Sequence, residues 1–235
     1  EQDFVSAAAA LGLDPFATSA EDQERLLGAA SAVPQSVLMS FLTIASFNAI
    51  EQQLATLRAA VEATEKNAAN LAALTRLRSE LDTRVHSGAP WRQGYAFAQR
   101  LRQVLRLDVK PLRTFEAYCA ALKIAEKDLR EASHDEPSKL FVALVSSNAK
   151  GSPGFALGSG LARDIGGSPA STFALTRALF EFLWSPVAQP CLVTIARSDR
   201  EKRNRAFAAE FLAPAEALKT SVSGSVVGED EMEEL

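Results

Sequence analysis

The chain has 235 residues, 47% of them hydrophobic and 23% charged, with a formal net charge of −4. That length and apolar content predict a globular protein of one large or two modest domains with a real core. The acidic balance argues against a general nucleic-acid binder, because such domains carry a basic excess, and no stretch approaches the roughly 18 uninterrupted apolar residues of a membrane span.

The chemistry-bearing residues are sparse. There are two histidines, His86 and His134, and two cysteines, Cys119 and Cys191, all far apart in sequence. No pair of them has metal-ligand spacing, so no structural zinc site and no other cofactor is expected. Two cysteines outside any disulfide framework suit a reducing compartment. The opening Glu-Gln-Asp-Phe has no signal-peptide pattern, which makes the cytoplasm the expected location. A first residue other than Met and an acidic Glu-Asp-Glu-Met-Glu-Glu-Leu end predict a piece of a longer protein.

In chain order, Asp3 to Leu11 reads as an alanine-rich helix stopped by Gly12, and Leu13 to Phe16 as a turn. Ser19, followed by Glu21, Asp22 and Glu24, opens a second helix whose acidic first turn suits the helix dipole. A third helix begins after Pro34. From Phe47 to His86 there is no proline or glycine, and Leu54, Leu57, Leu71, Leu74, Leu77 and Leu81 recur at helical spacing. This predicts one long helix or two nearly continuous ones. Such an element is either a member of a local bundle or a dimerisation helix.

Ser87-Gly88-Ala89-Pro90 is a turn-forming break. It divides the chain into a helical N-terminal region, 1–87, and a second domain, 88–220, followed by an acidic tail, 221–235. The second domain opens with a helix from Pro90, and another follows from Thr114 to Leu122. Lys139 to Ser146, bounded by Pro137 and by Ser-Ser-Asn-Ala-Lys-Gly-Ser-Pro-Gly, suits a buried strand. A helix from Ser171 to Trp184, a short strand from Cys191 to Ala196 and a basic helix from Arg200 to Leu212 complete the pattern. The expected fold class is α+β, predominantly helical, with a small sheet. Phe173, Phe180, Phe182, Trp184, Phe207 and Phe211 are read as packing between the last two helices.

Several features carry little chemistry. The glycine-rich run Gly158 to Gly167 matches neither a dinucleotide nor a Walker A pattern and is read as a flexible loop. No serine lies in G-x-S-x-G, and neither histidine has a triad context. The stretch Arg197 to Arg205 is the most basic of the chain. It is either a solvated helix start or a contact surface for a phosphate or an acidic partner, with Arg197, Arg200 and Arg205 as candidate contacts.

The most informative pattern lies in the last two long helices. Phe173 to Leu183 reads F-A-L-T-R-A-L-F-E-F-L, and Arg203 to Pro214 reads R-N-R-A-F-A-A-E-F-L-A-P. Together they resemble the two core helices of the ImmA/IrrE family of zinc metallopeptidase-like proteins. The resemblance covers Trp91 to Leu218 and includes the helix opening at Pro90; it is strongest over the last two helices and weak between Lys123 and Pro169. In that family the first helix carries H-E-x-x-H and the second supplies a glutamate ligand. Residues four apart share a helical face, so two imidazoles converge on one Zn²⁺ while the intervening Glu activates its water.

On this resemblance Arg177 and Glu181 stand at the histidine positions, Ala178 at the general-base position and Arg203 at the third-ligand position. A guanidinium is permanently charged and has no lone pair for zinc, and Ala178 has no group that takes a proton. The resemblance therefore implies a scaffold without catalytic residues, and an Arg177–Glu181–Arg203 ionic cluster is expected where zinc would sit. The function it implies is a non-catalytic sensing or regulatory domain of a cytoplasmic bacterial transcriptional or stress and defence regulator, of the kind associated with helix-turn-helix modules. The alternatives are a structural assembly module built on the long helix and, behind it, an unconventional hydrolase. The partners expected are a second copy of the chain and a small-molecule or protein ligand, with DNA only through a region absent from this chain and no membrane.

Overall fold

The computed structural model describes residues 19–81, 88–136, 138–161, 168–185 and 189–221, together with a few isolated positions before residue 19. Of the expected helix over Asp3 to Leu11, Val5, Ala8 and Ala9 are described and are helical; the rest of that helix apart from Leu11, the turn apart from Asp14, His86 and the acidic tail beyond Ser221 lie outside the described residues.

Helix α1, Ala20–Ala32, starts where its cap predicts: the Ser19 hydroxyl accepts from the Asp22 amide at 3.1 Å. Helix α2, Gln35–Leu42, follows Pro34 and buries Val37, Leu38, Phe41 and Leu42. The leucine-rich stretch is two helices rather than one. After a 3-10 turn at Phe47–Ala49, α3 runs over Ile50–Lys66 and α4 over Ala72–Glu80. At the break, Asn67 caps α3 through the Ala63 and Glu65 carbonyls.

The break lets one continuous leucine pattern serve two cores. Leu54 and Leu57 pack on one side of the sheet, whereas Leu71, Leu74, Leu77 and Leu81 pack on the other. Leu71 and Leu74 are 2% and 0% exposed within a single chain. They are therefore not available as the seam of a dimer, and the dimerisation reading of this stretch is corrected: its apolar face is consumed by the chain's own sheet and helices.

Helix α5, Pro90–Leu105, has Pro90 in its first turn, as its missing amide favours. Helix α6, Phe115–Leu122, is capped by the Thr114 hydroxyl. A short α7, Glu126–Glu131, leads into strand β1, Ser133–Asp135. Strands β2, Ala143–Ser147, and β3, Pro153–Leu157, form a hairpin. Helix α8, Pro169–Trp184, strand β4, Cys191–Val193, helix α9, Asp199–Leu212, and helix α10, Ala215–Ser221, complete the order. This is the predominantly helical α+β architecture expected, with four strands in the order β1-β3-β2-β4. β1 runs parallel to β3, and both β2/β3 and β2/β4 are antiparallel.

The sheet is buried on both faces, and its side chains alternate between two cores with the period of two that a strand imposes. Ala143, Val145, Phe155, Leu157, Cys191 and Val193 face the core built on α8, while Leu144, Ala156 and Leu192 face the core built on α2 and α3. Helices from both sides of residue 88 thus cover one sheet. Contact with α3 is close enough that a Cβ on Gly154 would lie 2.2 Å from the Thr64 carbonyl oxygen. The buried Ser146 hydroxyl donates to Glu65 at 3.0 Å across the same seam.

Helices α5 and α9 pack side by side. A Cβ at Gly94 would lie 2.2 Å from the Arg203 carbonyl oxygen and 2.9 Å from the Phe207 nitrogen, so only glycine permits this backbone approach. Around the crossing, Phe97, Phe180, Trp184 and Phe207 form an aromatic cluster with centroid separations of 5.0–5.7 Å, within the range where offset and edge-on rings attract. Phe211 stacks on Phe207 at 5.6 Å. Phe182 instead lies under the Arg78 guanidinium at 5.0 Å.

Candidate functional site

Helix α8 presents Arg177 and Glu181 on one face, one turn apart, each 5% exposed. Helix α9 begins beside them. Its N-cap is Ser198, whose hydroxyl accepts from the Glu201 amide at 3.3 Å. The Ser-x-x-Glu spacing is that of a reciprocal capping box, but the Glu201 carboxylate reaches into the interior. There Glu201 Oε1 accepts from the Thr194 amide at 2.7 Å and from the Thr194 hydroxyl at 2.8 Å.

The expected ionic cluster exists with different members. Arg177 does not close on Glu181; its Nη2 donates to Glu201 Oε2 at 2.5 Å and to the Thr194 carbonyl at 2.7 Å, and its Nε to Asn204 Oδ1 at 2.8 Å. Glu181 instead pairs with Arg200, whose Nε and Nη2 lie 3.0 and 2.9 Å from Oε2. Asn204 joins the two pairs, donating to Glu181 Oε1 at 3.0 Å and to Glu201 Oε2 at 2.9 Å. The result is two Arg–Glu pairs bridged by one amide.

Arg203 is the residue sequence reasoning misplaced. It sits one position away from Asn204 on α9, about 100° around the helix, and turns away from α8's polar face toward the aromatic cluster. Its guanidinium lies 5.0 Å from the Trp184 ring centroid, a cation–π arrangement. The carboxylate that α9 sends toward Arg177 is Glu201, and the amide beside it is Asn204, fully buried. Ser198 ahead of Glu201 was the available signal, since a cap fixes the helical phase and with it the inward face.

The other basic candidates divide. Arg200 belongs to the network and extends it: Nη1 donates to the Ser40 hydroxyl at 2.7 Å and lies 3.4 Å from the Ser36 carbonyl, both on α2. The Ser36 hydroxyl in turn donates to the Pro190 carbonyl at 2.9 Å. Arg205 donates to the Ala196 carbonyl and, at 3.3 Å, to that of Ile195, bracing the turn before α9. Arg197 is exposed, and Arg200 and Arg205 are half-buried. Ala178 is fully buried in the core.

Burial sets the electrostatics. Desolvation is the largest influence on Arg177 and pulls its pKa below the ordinary guanidinium value despite the Glu201 carboxylate. Desolvation is also the largest single influence on Arg200, but Glu181 outweighs it by charge and hydrogen bonding together, and the net shift is upward. Both remain cations at any working pH. Burial pushes the Cys191 thiol, with the Glu181 charge adding to it, up to about 11.

The chemical capacity of the site follows from these bonds. Glu201 accepts from four donors, which occupies the lone-pair directions a carboxylate has. Glu181 is held by Arg200 and Asn204. The residues therefore do not fit zinc: Arg177 offers no lone pair, and neither carboxylate has a free oxygen to turn toward a cation. Among the described residues no three His, Cys, Asp or Glu side chains converge as ligands; His134 lies on β1, with Cys119 on α6 and Cys191 on β4. The Thr194 hydroxyl beside Glu201 has the geometry of a nucleophile and base, but Thr194 is 1% exposed and its carboxylate is neutralised by Arg177.

Of the glycine-rich run, residues 158–161 are described. They form a turn in which Gly160, at φ 83°, donates its amide to Asp135 at 3.0 Å; the rest of the run lies outside the described residues. Comparison with protein-family models, with curated proteins and with solved structures finds no match to this chain.

Proposed function

We propose that this chain is a non-catalytic, ImmA/IrrE-like sensing or regulatory domain in which an ionic lock occupies the position of a metal centre. The observation that carries the reading is the Arg177–Glu201 and Arg200–Glu181 pairing across the start of α9, on the two helices whose sequences resemble the zinc-binding helices of that family. A metal and a closed ring of charge-assisted hydrogen bonds solve the same physical problem, which is to hold two helices together at a polar point inside a core. Here the second solution is used. Through Arg200 the lock also grips α2, so the N-terminal helices are tied to the resembling segment at this point. That tie supplies a route by which an event at the N-terminal region reaches α8 and α9.

Two measurements test the reading. Metal analysis of the purified protein after dialysis is expected to find no stoichiometric zinc; one tightly held zinc per chain, lost in Glu201→Ala, overturns the non-catalytic half. Transcript profiling of cells carrying the full-length protein or its Glu201→Ala variant tests the regulatory half. Identical profiles with both proteins and with neither would overturn it.

A further inference from the structure

Helix α5 carries charge of one sign. Residues 90–107 include four arginines and no acidic residue. Arg102 is buried and donates to the Phe211 carbonyl at 2.5 Å. Arg92, Arg100 and Arg106 are exposed and have no carboxylate partner among the described residues. On α4, α7 and α9, by contrast, the exposed cations of Arg76–Glu80, Lys127–Glu131 and Lys202–Asp199 pair about one turn away, as a solvated helix face does. The same face of α5 shows two aromatic rings. Trp91 and Tyr95, one turn apart, are 49% and 40% exposed. A single exposed apolar residue is ordinary, but Trp, Tyr and Arg together on a face without acid have the composition of a contact surface.

The complementary charge is in the chain itself. Residues 229–235 read Glu-Asp-Glu-Met-Glu-Glu-Leu, and they hold five of the 29 acidic residues. The other 24 are outnumbered by the 25 lysines and arginines, so the net negative charge of the chain resides in this segment. Helix α10 leads toward it. Lys219, two residues before the end of that helix at Ser221, lines a cleft together with Gln99 and Gln103 of α5. That cleft does not itself attract the segment, since Glu216 lines it with Lys219 and its Asp108 pairs with Lys110 at 3.8 Å.

Length allows the segment to pass beyond the cleft. From Gln99 to Trp91 is about 12 Å along the helix, and the seven residues 222–228, with glycines at 224 and 228, span up to about 23 Å when extended. The seven residues 229–235 have the same reach, which matches the roughly 21 Å of helix from Arg92 to Arg106.

We infer that the acidic segment 229–235 docks on the exposed face of α5 in its own chain. Its carboxylates meet Arg92, Arg100 and Arg106, and Met232 and Leu235 supply apolar groups to Trp91 and Tyr95. Tethering makes a weak contact sufficient: at an effective concentration of about 1 mM, a contact with a dissociation constant of about 0.1 mM is roughly 90% occupied. None of these residues belongs to the ionic lock, so the inference stands or falls separately from the regulatory reading.

The test is paramagnetic broadening in the full chain. Met232→Cys takes a nitroxide label selectively, because Cys119 and Cys191 are 2% and 5% exposed. At low salt the label is expected to broaden the Trp91 indole resonance. Raising salt to about 0.5 M, or combining Arg92→Gln, Arg100→Gln and Arg106→Gln, is expected to reduce that broadening about threefold or more. The salt arm needs no substitution in α5, and the three arginines are exposed, so loss of the fold does not mimic the result. No broadening at low salt overturns the inference and leaves the face to a separate acidic partner. Broadening left unchanged by salt or by the arginine substitutions overturns it as well. So does equal broadening when spin-labelled chains are mixed with separately isotope-labelled ones, which would put the segment on a second copy.

Discussion

Replacing Glu201 with leucine isolates the energetics of the lock. In Glu201→Leu, Arg177 stays 5% exposed and keeps only neutral acceptors, the Thr194 carbonyl and the Asn204 amide oxygen. Glu181 offers no free counter-charge, since Arg200 and Asn204 already hold it. Breaking a buried pair from one side costs about 3–5 kcal/mol, a large share of the roughly 5–15 kcal/mol by which domains are stable. Arg177→Met strands the Glu201 carboxylate in the same way and is expected to cost about as much. The double variant buries no unpaired charge from this pair. What remains is the loss of partners by the Thr194 amide, hydroxyl and carbonyl and by part of the Asn204 amide, groups that the single variants already strand in part, so the loss in the double variant is expected to fall well short of the sum of the two single losses. Urea unfolding measures this as shifts in midpoint at constant m. Single losses below about 1 kcal/mol that simply add in the double variant would refute the reasoning, because they would mean that these residues are not coupled.

Two further outcomes are expected. Gly94→Ala places a Cβ against the backbone of α9, so the helices must separate; a loss of about 3 kcal/mol is expected in the same unfolding assay, and a neutral effect would show that the α5–α9 crossing is looser than described. Burial holds the thiols of Cys119 and Cys191 up at about 11 from an ordinary 9.0. Because these pKa values are raised in the folded state, their contribution is fully present below pH 9 and is lost as pH climbs toward 11. Native protein at pH 8 should therefore resist a thiol reagent that labels both cysteines in urea, and stability should fall across pH 9–11 in wild type and less in the Cys191→Ala variant.

Helices with caps were legible in the sequence because a cap is a local event. Ser19, Thr114 and Pro90 each mark a helix start that the structure confirms, and Phe180 of α8 meets Phe207 of α9 as their spacing implies, whereas Phe182 turns to Arg78. Strands were legible only where apolar runs were long. Ala143–Ser147 overlaps the strand expected over Lys139 to Ser146, and Cys191–Val193 lies within that expected over Cys191 to Ala196. Pro153–Leu157 and Ser133–Asp135 were not, because a glycine and a proline mask one and three polar residues the other; both are strands through their partners, β3 between β1 and β2, and β1 on β3. The leucine stretch from Leu54 to Leu81 shows the same limit, since periodicity marks an apolar face but not what covers it.

At the lock, the sequence by itself determined that a helix carries Arg177 and Glu181 on one face, and that neither a guanidinium nor Ala178 supports zinc chemistry. These are matters of residue type and of the helical repeat, which no tertiary context alters. Which cation met which carboxylate was decided only by the tertiary structure. Arg177 turned to Glu201 rather than Glu181, Arg200 rather than Arg203 came to Glu181, and Arg203 moved onto Trp184. The physical reason is the rotation of α9 about its own axis. One residue of helix turns a side chain by about 100°, and that phase was set by the Ser198 cap and by the contact of α9's backbone with Gly94, a contact made between helices about a hundred residues apart in the chain.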